Sequence, residues 1–477
     1  MRARLRQALD AFQNRQVSWR AALILYAVAF AAAAALAAGW QVVRGPDGAP
    51  RQQAESLAPV TPVPVPTAPA ADCGGEDDLV VATGDDISTG SVRREVFDRW
   101  NQGKKLPGDP PAKLLELSGS TDVRRAQMAA LAQAGSCQYD VLVLDVAWVA
   151  EYARHGYIRP IPLSEPDRFL PGPLRAAEID GEQYGVPFAS DAPLEFRRTD
   201  VPAGGYLLQL SDREAGTINF LEMIEYGGGQ LLDGDDRTSL RLGDDTWRSL
   251  ASPRRRTFTT GEDVRVLQES FDLDEDSSVA AFKDGRIGNH RVSYMRNWPI
   301  VFHQLAADPR MRDSEGDLQF EVRAPETPGG VLGGSVLALS AHLPPDKVEP
   351  AMRLIEFLVS RDEQHRLFAC GGYGPVLTEV YDDYSEGRGT VCGAGRSSEL
   401  VAVTLAELED LAEQVEKSVG LALPRPKSPY YAQFSAAFRR CARGVWEEKV
   451  KEETFLSAAD LLRSALDGRV PDGQPPC

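Results

Sequence analysis

Two apolar runs in this chain end in carboxylates. Leu79-Val-Val-Ala-Thr83 leads into Gly84-Asp85-Asp86, and Tyr139-Asp-Val-Leu-Val-Leu reaches Asp145, with Trp148 three residues on. Ionised carboxylates accept hydrogen bonds from hydroxyl groups, and an indole covers the C–H face of a sugar ring. Brought together, these groups suit a polyhydroxylated ligand. Taken singly, Asp85 and Asp145 read equally well as caps for the turns that follow them.

The elements between these acids decide whether they can meet. Leu79–Thr83, Lys113–Ser118 and Tyr139–Asp145 read as buried strands. Between the first two, Val92, Val96, Phe97 and Trp100 recur at helical spacing, and Thr121 is expected to cap a second helix that runs through Leu131. Strand, helix, strand, helix, strand is the pattern of an α/β doubly wound parallel sheet. Such sheets bind ligands at the carboxyl ends of their strands, near the point where strand order reverses. In a 2-1-3 order the starts of strands one and three are neighbours, which places Cys73 beside Cys137. Six cysteines allow 15 pairings. The expected set is Cys73–Cys137, Cys370–Cys392 and Cys441–Cys477, in keeping with an exported domain. No Cys-x-x-Cys spacing suggests a metal.

Ahead of this domain, Ala21–Gly39 is free of charge and matches the roughly 20 apolar residues that a membrane-crossing helix needs. Five arginines and one aspartate precede it, a bias that keeps residues 1–20 in the cytoplasm. An uncleaved anchor at 21–40 is expected, with a cleaved signal peptide as the alternative, since Ala35-Leu36-Ala37 offers a cleavage site. Residues 41–77, with alternating prolines between Val60 and Pro69, read as an extended spacer. The domain beyond, 78–477, then lies outside the cell on a single-pass tether.

The chain carries a net charge of −18; its first 40 residues contribute +4, leaving near −22 for the rest. Nucleic acid, which demands clustered Lys and Arg, is excluded as a partner. No nucleophile elbow, Walker loop, zincin motif or complete dinucleotide fingerprint is present, so neither a catalytic residue nor a cofactor is assigned. The five histidines are scattered, and Asp272–Asp276 fails as a calcium loop because Ser277 stands where the turn glycine belongs. No metal site is expected. The paired acids of a glycosidase have no distinguishing spacing here.

Five further segments, in order, carry a family likeness: Tyr139–Pro160, Asp180–Asp191, Phe282–Ile287 with Tyr294–Pro299, Gly329–His342 and Arg425–Ser435. Across about 79–470 the chain resembles the extracellular solute-binding proteins of ABC transporters, in their maltose/trehalose-type branch. The resemblance implies a two-lobed periplasmic-binding-protein-like (type II) fold with hinge crossovers, closing on a ligand expected to be a carbohydrate, and an ABC permease as membrane partner. It places lobe 1 at about 78–189 and 298–345 and lobe 2 at about 190–297 and 346–477. By position it implies ligand contacts from Asp85, Asp86, Asp145, Trp148, Asp191, Trp298, Tyr430 and Tyr431. The alternative is a degenerate fold serving as a sensor or protein-interaction module; an exported carbohydrate-active enzyme comes third.

The sequence also departs from the family pattern. Glu195 and Arg197 put charge in a segment expected to be half buried, few residues separate Asp200 from Asn219, and Ser335 stands where an aromatic is common. A shortened second lobe with less stacking area follows from these differences.

Overall fold

The computed structural model describes residues 78–104, 106–393, 403–469 and 477. The expected anchor at 21–40 and spacer at 41–77 lie outside the described residues. Among those described, no helix is long and apolar enough to cross a membrane.

The chain opens with β1 (Leu79–Gly84), α1 (Val92–Arg99), β2 (Ala112–Leu117), α2 (Thr121–Gln133), β3 (Val141–Asp145) and α3 (Val149–Arg154). β1 lies between β2 and β3, parallel to both, which is the 2-1-3 order expected. Val92, Val96, Phe97 and Trp100 are all buried, so the helical period does mark the face of α1 that covers the sheet. Thr121 is the first residue of α2 rather than its cap. A short strand, β4 (Ile158–Arg159), and then β5 (Val186–Asp191) complete this part of the first sheet.

The chain leaves the first lobe just after Asp191. β6 (Leu194–Arg198) and β7 (Gly205–Leu207) precede α4 (Glu214–Tyr226), α5 (Asp244–Ala251) and α6 (Glu275–Asp284). β8 (Arg286–Ile287) turns into β9 (His290–Asn297), which pairs antiparallel with β6 and parallel with β7. The charge on β6 is accommodated. Glu195 is fully buried but accepts hydrogen bonds from Phe258 N (2.9 Å), Thr259 N (2.9 Å) and Thr259 Oγ1 (2.8 Å). Arg197 pairs with Glu321 at 2.7 Å.

The lobe boundaries differ from those expected. After Trp298 the chain does not return to the first lobe. It forms α7 (Val301–Ala306) and β10 (Phe320–Arg323), and β10 pairs with β6 in the second sheet. Pro299 stops β9 because it has no N–H to give a ladder. Phe302 of α7 then packs on Phe320 at 5.6 Å and holds 298–323 in the second lobe. The return comes with β11 (Gly333–Ser340), antiparallel to both β3 and β5. Gly334 is required there: its φ is +104°, and a Cβ would sit 2.2 Å from the Ala189 carbonyl oxygen.

Nor does the chain cross again at 340–350. α8 (Pro345–Leu358) sets Phe357 on Trp100 at 5.6 Å, and α9 (Arg361–Gly371) brings Glu363 to Arg99 at 2.8 Å, so both helices cover the first lobe. α10 (Thr378–Ser385) follows. α11 (Leu405–Leu421) runs along the hinge, where Ser418 Oγ donates to the Pro193 carbonyl and Gln414 accepts from Ala324 N. The third crossing is at 422–425, hydrogen-bonded to the second through Leu423 N to Gly330 O (2.7 Å) and Leu332 N to Leu423 O (2.8 Å). α12 (Tyr431–Trp446) and α13 (Ala459–Leu466) close the second lobe.

Cys370–Cys392 and Cys441–Cys477 are disulfides as expected. Cys137 is also disulfide-bonded, while Cys73 lies outside the described residues.

Candidate functional site

A cleft of about 1130 Å³ opens between the lobes. Its first-lobe side is built from the carboxyl ends of β1 and β3 and the start of α2. Its second-lobe side comes from the starts of α4 and α6 and the end of β9, and the hinge segments Asp191, Gly333–Ser335 and Arg425 form its back.

Five of the eight expected residues line this cleft: Asp85, Asp145, Trp148, Asp191 and Trp298. Asp85 accepts a hydrogen bond from Ser118 Oγ at 3.2 Å. Asp191 ends β5 opposite Gly333, and no hydrogen bond or ion pair reaches its carboxylate from the described residues. Burial, reinforced by the Asp145 charge, pushes its pKa up to about 6 against the partial offset of Arg296 and Arg425. Trp298 rests one ring face on the Arg296 guanidinium, 3.7 Å from its centroid, a cation–π arrangement. Glu222 fixes that arginine through bonds of 3.0 and 2.7 Å. Gly333 lies against the same indole, where a Cβ would come within 3.2 Å of the ring.

Asp145 and Trp148 line the cleft but are engaged by the protein. Asp145 caps the turn after β3 by accepting from Ala147 N at 2.9 Å, and it also pairs with Arg425. Trp148 is 2% exposed, packed between Tyr431 (5.4 Å) and the Arg125 guanidinium (5.4 Å).

The other three do not line the cleft. Asp86 caps α1, accepting from Ser88 N (3.0 Å), Ser88 Oγ (2.6 Å), Arg93 N (3.0 Å) and Tyr373 OH (2.9 Å). Burial raises its pKa, but the Ser88 hydrogen bonds and the Arg93 charge outweigh that and hold the carboxyl below its usual range. Tyr430 packs on the backbone at Gly468 and takes its N–H to Ser428 Oγ at 3.0 Å. Tyr431 is 1% exposed behind Trp148, with its hydroxyl donating to Glu214.

Four contributors to the cleft were not singled out from sequence. Arg425 stands at the head of the Arg425–Ser435 segment, where the tyrosines drew attention instead. It donates to Glu214 at 3.2 Å and also pairs with Asp145. Glu214, in the first turn of α4, further accepts from Ser435 Oγ at 2.6 Å, and its backbone N–H reaches Asp122 across the cleft at 3.1 Å. Arg124 lies over Gly84, where a Cβ would come within 2.7 Å of its Nε. It donates to the Gly119 carbonyl (2.8 Å) and Thr121 Oγ1 (3.3 Å). Burial pushes the Arg124 pKa down, with Asp145 opposing. Glu275, at the start of α6, lines the cleft and is raised in pKa by burial. Only the Gly84 position hinted at any of these in the sequence. Among the described residues, no three acidic, histidine or cysteine side chains converge to hold a metal.

Two α/β lobes, three hinge segments and a cleft lined from both sides define a two-lobed binding protein. A sequence profile of the bacterial extracellular solute-binding proteins matches residues 116–387, more than half of the chain, and the protein belongs to that family. It is a family of binding proteins, not of enzymes. The fold is similar to that of maltose-bound MalE3 of T. maritima, with a TM-score of 0.63 and 20% identity over 82% of this chain and 99% of that one. An ABC transporter solute-binding protein of Thermotoga lettingae bound to α-D-tagatose has a TM-score of 0.62 at 17% identity, covering 82% of this chain and 100% of that one. The GacH receptor of Streptomyces glaucescens, solved unliganded and with acarbose, has a TM-score of 0.62 at 17% identity over 83% of this chain and 100% of that one.

Proposed function

We propose that this protein is a membrane-tethered extracellular receptor that takes a saccharide between its lobes and presents it to an ABC permease. The observation that carries this reading is the meeting of Asp85, Arg124, Asp191 and Trp298 in one interlobe cleft. A carboxylate and a guanidinium on the first-lobe side would receive vicinal hydroxyls, and the hinge carboxylate and the indole would hold the ring from the back. Binding of this kind favours the state in which both lobes touch the ligand, and a permease can read that state. Residues 21–40 would hold the receptor in the membrane, with residues 1–20 in the cytoplasm and 41–77 as spacer. A tethered receptor works at high effective concentration, so micromolar or weaker affinity is sufficient.

A panel of neutral mono- and disaccharides titrated into the full-length chain, with thermal unfolding as readout, tests this. At least one sugar should raise Tm with its concentration, as linkage requires. A panel that leaves Tm flat to millimolar concentration removes the saccharide reading.

A second reading, a sensor or interaction module, draws on the contacts that already bridge the lobes: Asp145 to Arg425, Asp122 to Glu214 N, and Trp148 on Tyr431. It predicts a flat panel together with an unaltered fold.

A further inference from the structure

The charges around the cleft do not balance. Six arginines line it, and five are matched to carboxylates. Arg93 faces Glu116 (3.6 Å), Arg125 faces Glu151 (2.6 Å), Arg213 faces Asp274 (3.0 Å), Arg439 faces Asp212 (2.7 Å), and Arg425 serves Asp145 and Glu214. Arg124 alone among them has no carboxylate within 4.0 Å in the described residues.

The surplus on the acidic side is larger. Asp85, Asp122, Asp191, Glu275 and Asp276 line the cleft without a described basic nitrogen in ion-pair contact. Asp122 and Asp85 at least receive hydrogen bonds, from Glu214 N and Ser118 Oγ. Asp191 receives none from the described residues; it stands half-buried at the hinge between β5 and β11, on the wall of the cleft. Arg296 and Arg425 act on it through their charge, but from beyond ion-pair contact. A half-buried carboxylate with no donor in contact is open to one that a ligand brings. Here the open side of Asp191 is the cleft itself.

A metal ion does not answer this need, since no three acids converge on one point among the described residues. An anionic ligand would meet one unpaired guanidinium and several unpaired acids. A neutral sugar would give hydroxyl donors but leave the negative surplus in place. We infer that the ligand is a saccharide bearing a protonated amine, an amino sugar, with Asp191 as the partner of its ammonium group and Glu275 adding to the negative field. This inference rests on the saccharide reading above and narrows it. The raised pKa of both carboxylates accords with it, because a cation brought into contact would restore the charged form of each.

Calorimetric titration of the full-length chain at pH 7 tests it with four probes: cellobiose, the β-1,4-linked disaccharide of glucosamine, its di-N-acetylated form, and a uronate disaccharide. The diamine is expected to bind at least tenfold more tightly than cellobiose, to weaken as salt is added, and to lose its advantage on N-acetylation. Asp191→Asn, checked for its fold by thermal unfolding, should cut the diamine-to-cellobiose ratio to below threefold. Glu275→Gln should cut it by a smaller factor. Equal affinity for cellobiose and the diamine, or a preference for the uronate, would overturn the amine while leaving the saccharide reading intact. A preference that survives both substitutions overturns the assignment to these carboxylates. Failure of all four probes to bind at millimolar concentration overturns the amino-sugar inference, while the saccharide reading stands or falls by the wider thermal-unfolding panel.

Discussion

Two groups of side chains in one cleft use the same residue types differently. In the first, Asp145, Glu214, Arg425, Trp148 and Tyr431 satisfy one another across the lobes. In the second, Asp191 has no hydrogen-bond or ion-pair partner among the described residues and Trp298 rests one face on Arg296. An acid or an indole in a cleft is thus not in itself a ligand contact. What decides is whether a distant segment has already supplied its cation or covered its ring.

The comparison is broken or sharpened most strongly at Arg425. Arg425→Ala leaves Asp145 without its cation and Glu214 buried beside it, and removal of one member of a buried pair typically costs about 3–5 kcal/mol. Urea unfolding should show a loss in that range; a loss under about 1 kcal/mol would mean that the satisfied group is not held together as described.

Trp148→Ala and Trp298→Ala form a matched pair. The first should destabilise the protein by about 3–5 kcal/mol, the usual cost of emptying a buried aromatic site. The second should chiefly weaken saccharide binding, by about tenfold, in line with one lost stacking contact. Calorimetry and thermal unfolding on both variants separate the two roles. Equal loss of affinity from both would erase the distinction between the two groups.

Asp191→Asn should do the opposite of most substitutions. A carboxyl whose folded pKa is raised binds protons more readily in the native state, so its ionisation opposes folding. The associated stability is fully present below the unfolded pKa near 3.8 and is lost as pH rises through about 6. The variant should therefore be more stable than the parent at pH 8, by up to roughly 3 kcal/mol, and indistinguishable from it at pH 3. Unfolding midpoints at the two pH values check this.

The smallest effect belongs to Asp86. Its lowered pKa gives stability that is present above the unfolded pKa and lost as pH falls through the folded one. Asp86→Asn should cost about 1 kcal/mol at pH 7, as a weakened helix cap does, with saccharide affinity unchanged. A large drop in affinity instead would return Asp86 to the ligand site.

Much of the first lobe was legible in the sequence. Apolar runs bounded by glycine and acids marked β1, β2 and β3, and the helical period of Val92, Val96, Phe97 and Trp100 marked the covered face of α1. The position of Asp85 followed from the strand end. Asp86, one residue on, did not, because a single step along the chain turns its side chain from the cleft to the N-terminus of α1. Tyr430 and Tyr431 lie off the cleft for a related reason: at the start of α12 the Tyr430 ring packs at Gly468 and the Tyr431 ring is buried behind Trp148. The crossovers were misplaced after Trp298 because the pairing of β10 with β6 joins segments more than 100 residues apart, and no local pattern announces such a contact.

The amino-acid sequence by itself determined the two-lobed α/β class, the family, and the presence of acids and indoles at strand ends and hinges. Periodicity, turn residues and ordered motifs are properties of neighbouring positions, and they survive without coordinates. Only the tertiary structure decided which of those groups are spent. Arg425 reaches Asp145 across 280 positions of chain, and nothing reaches Asp191 among the described residues. Free charge in a cleft is a difference between long-range pairings, and that difference exists only once the chain has folded.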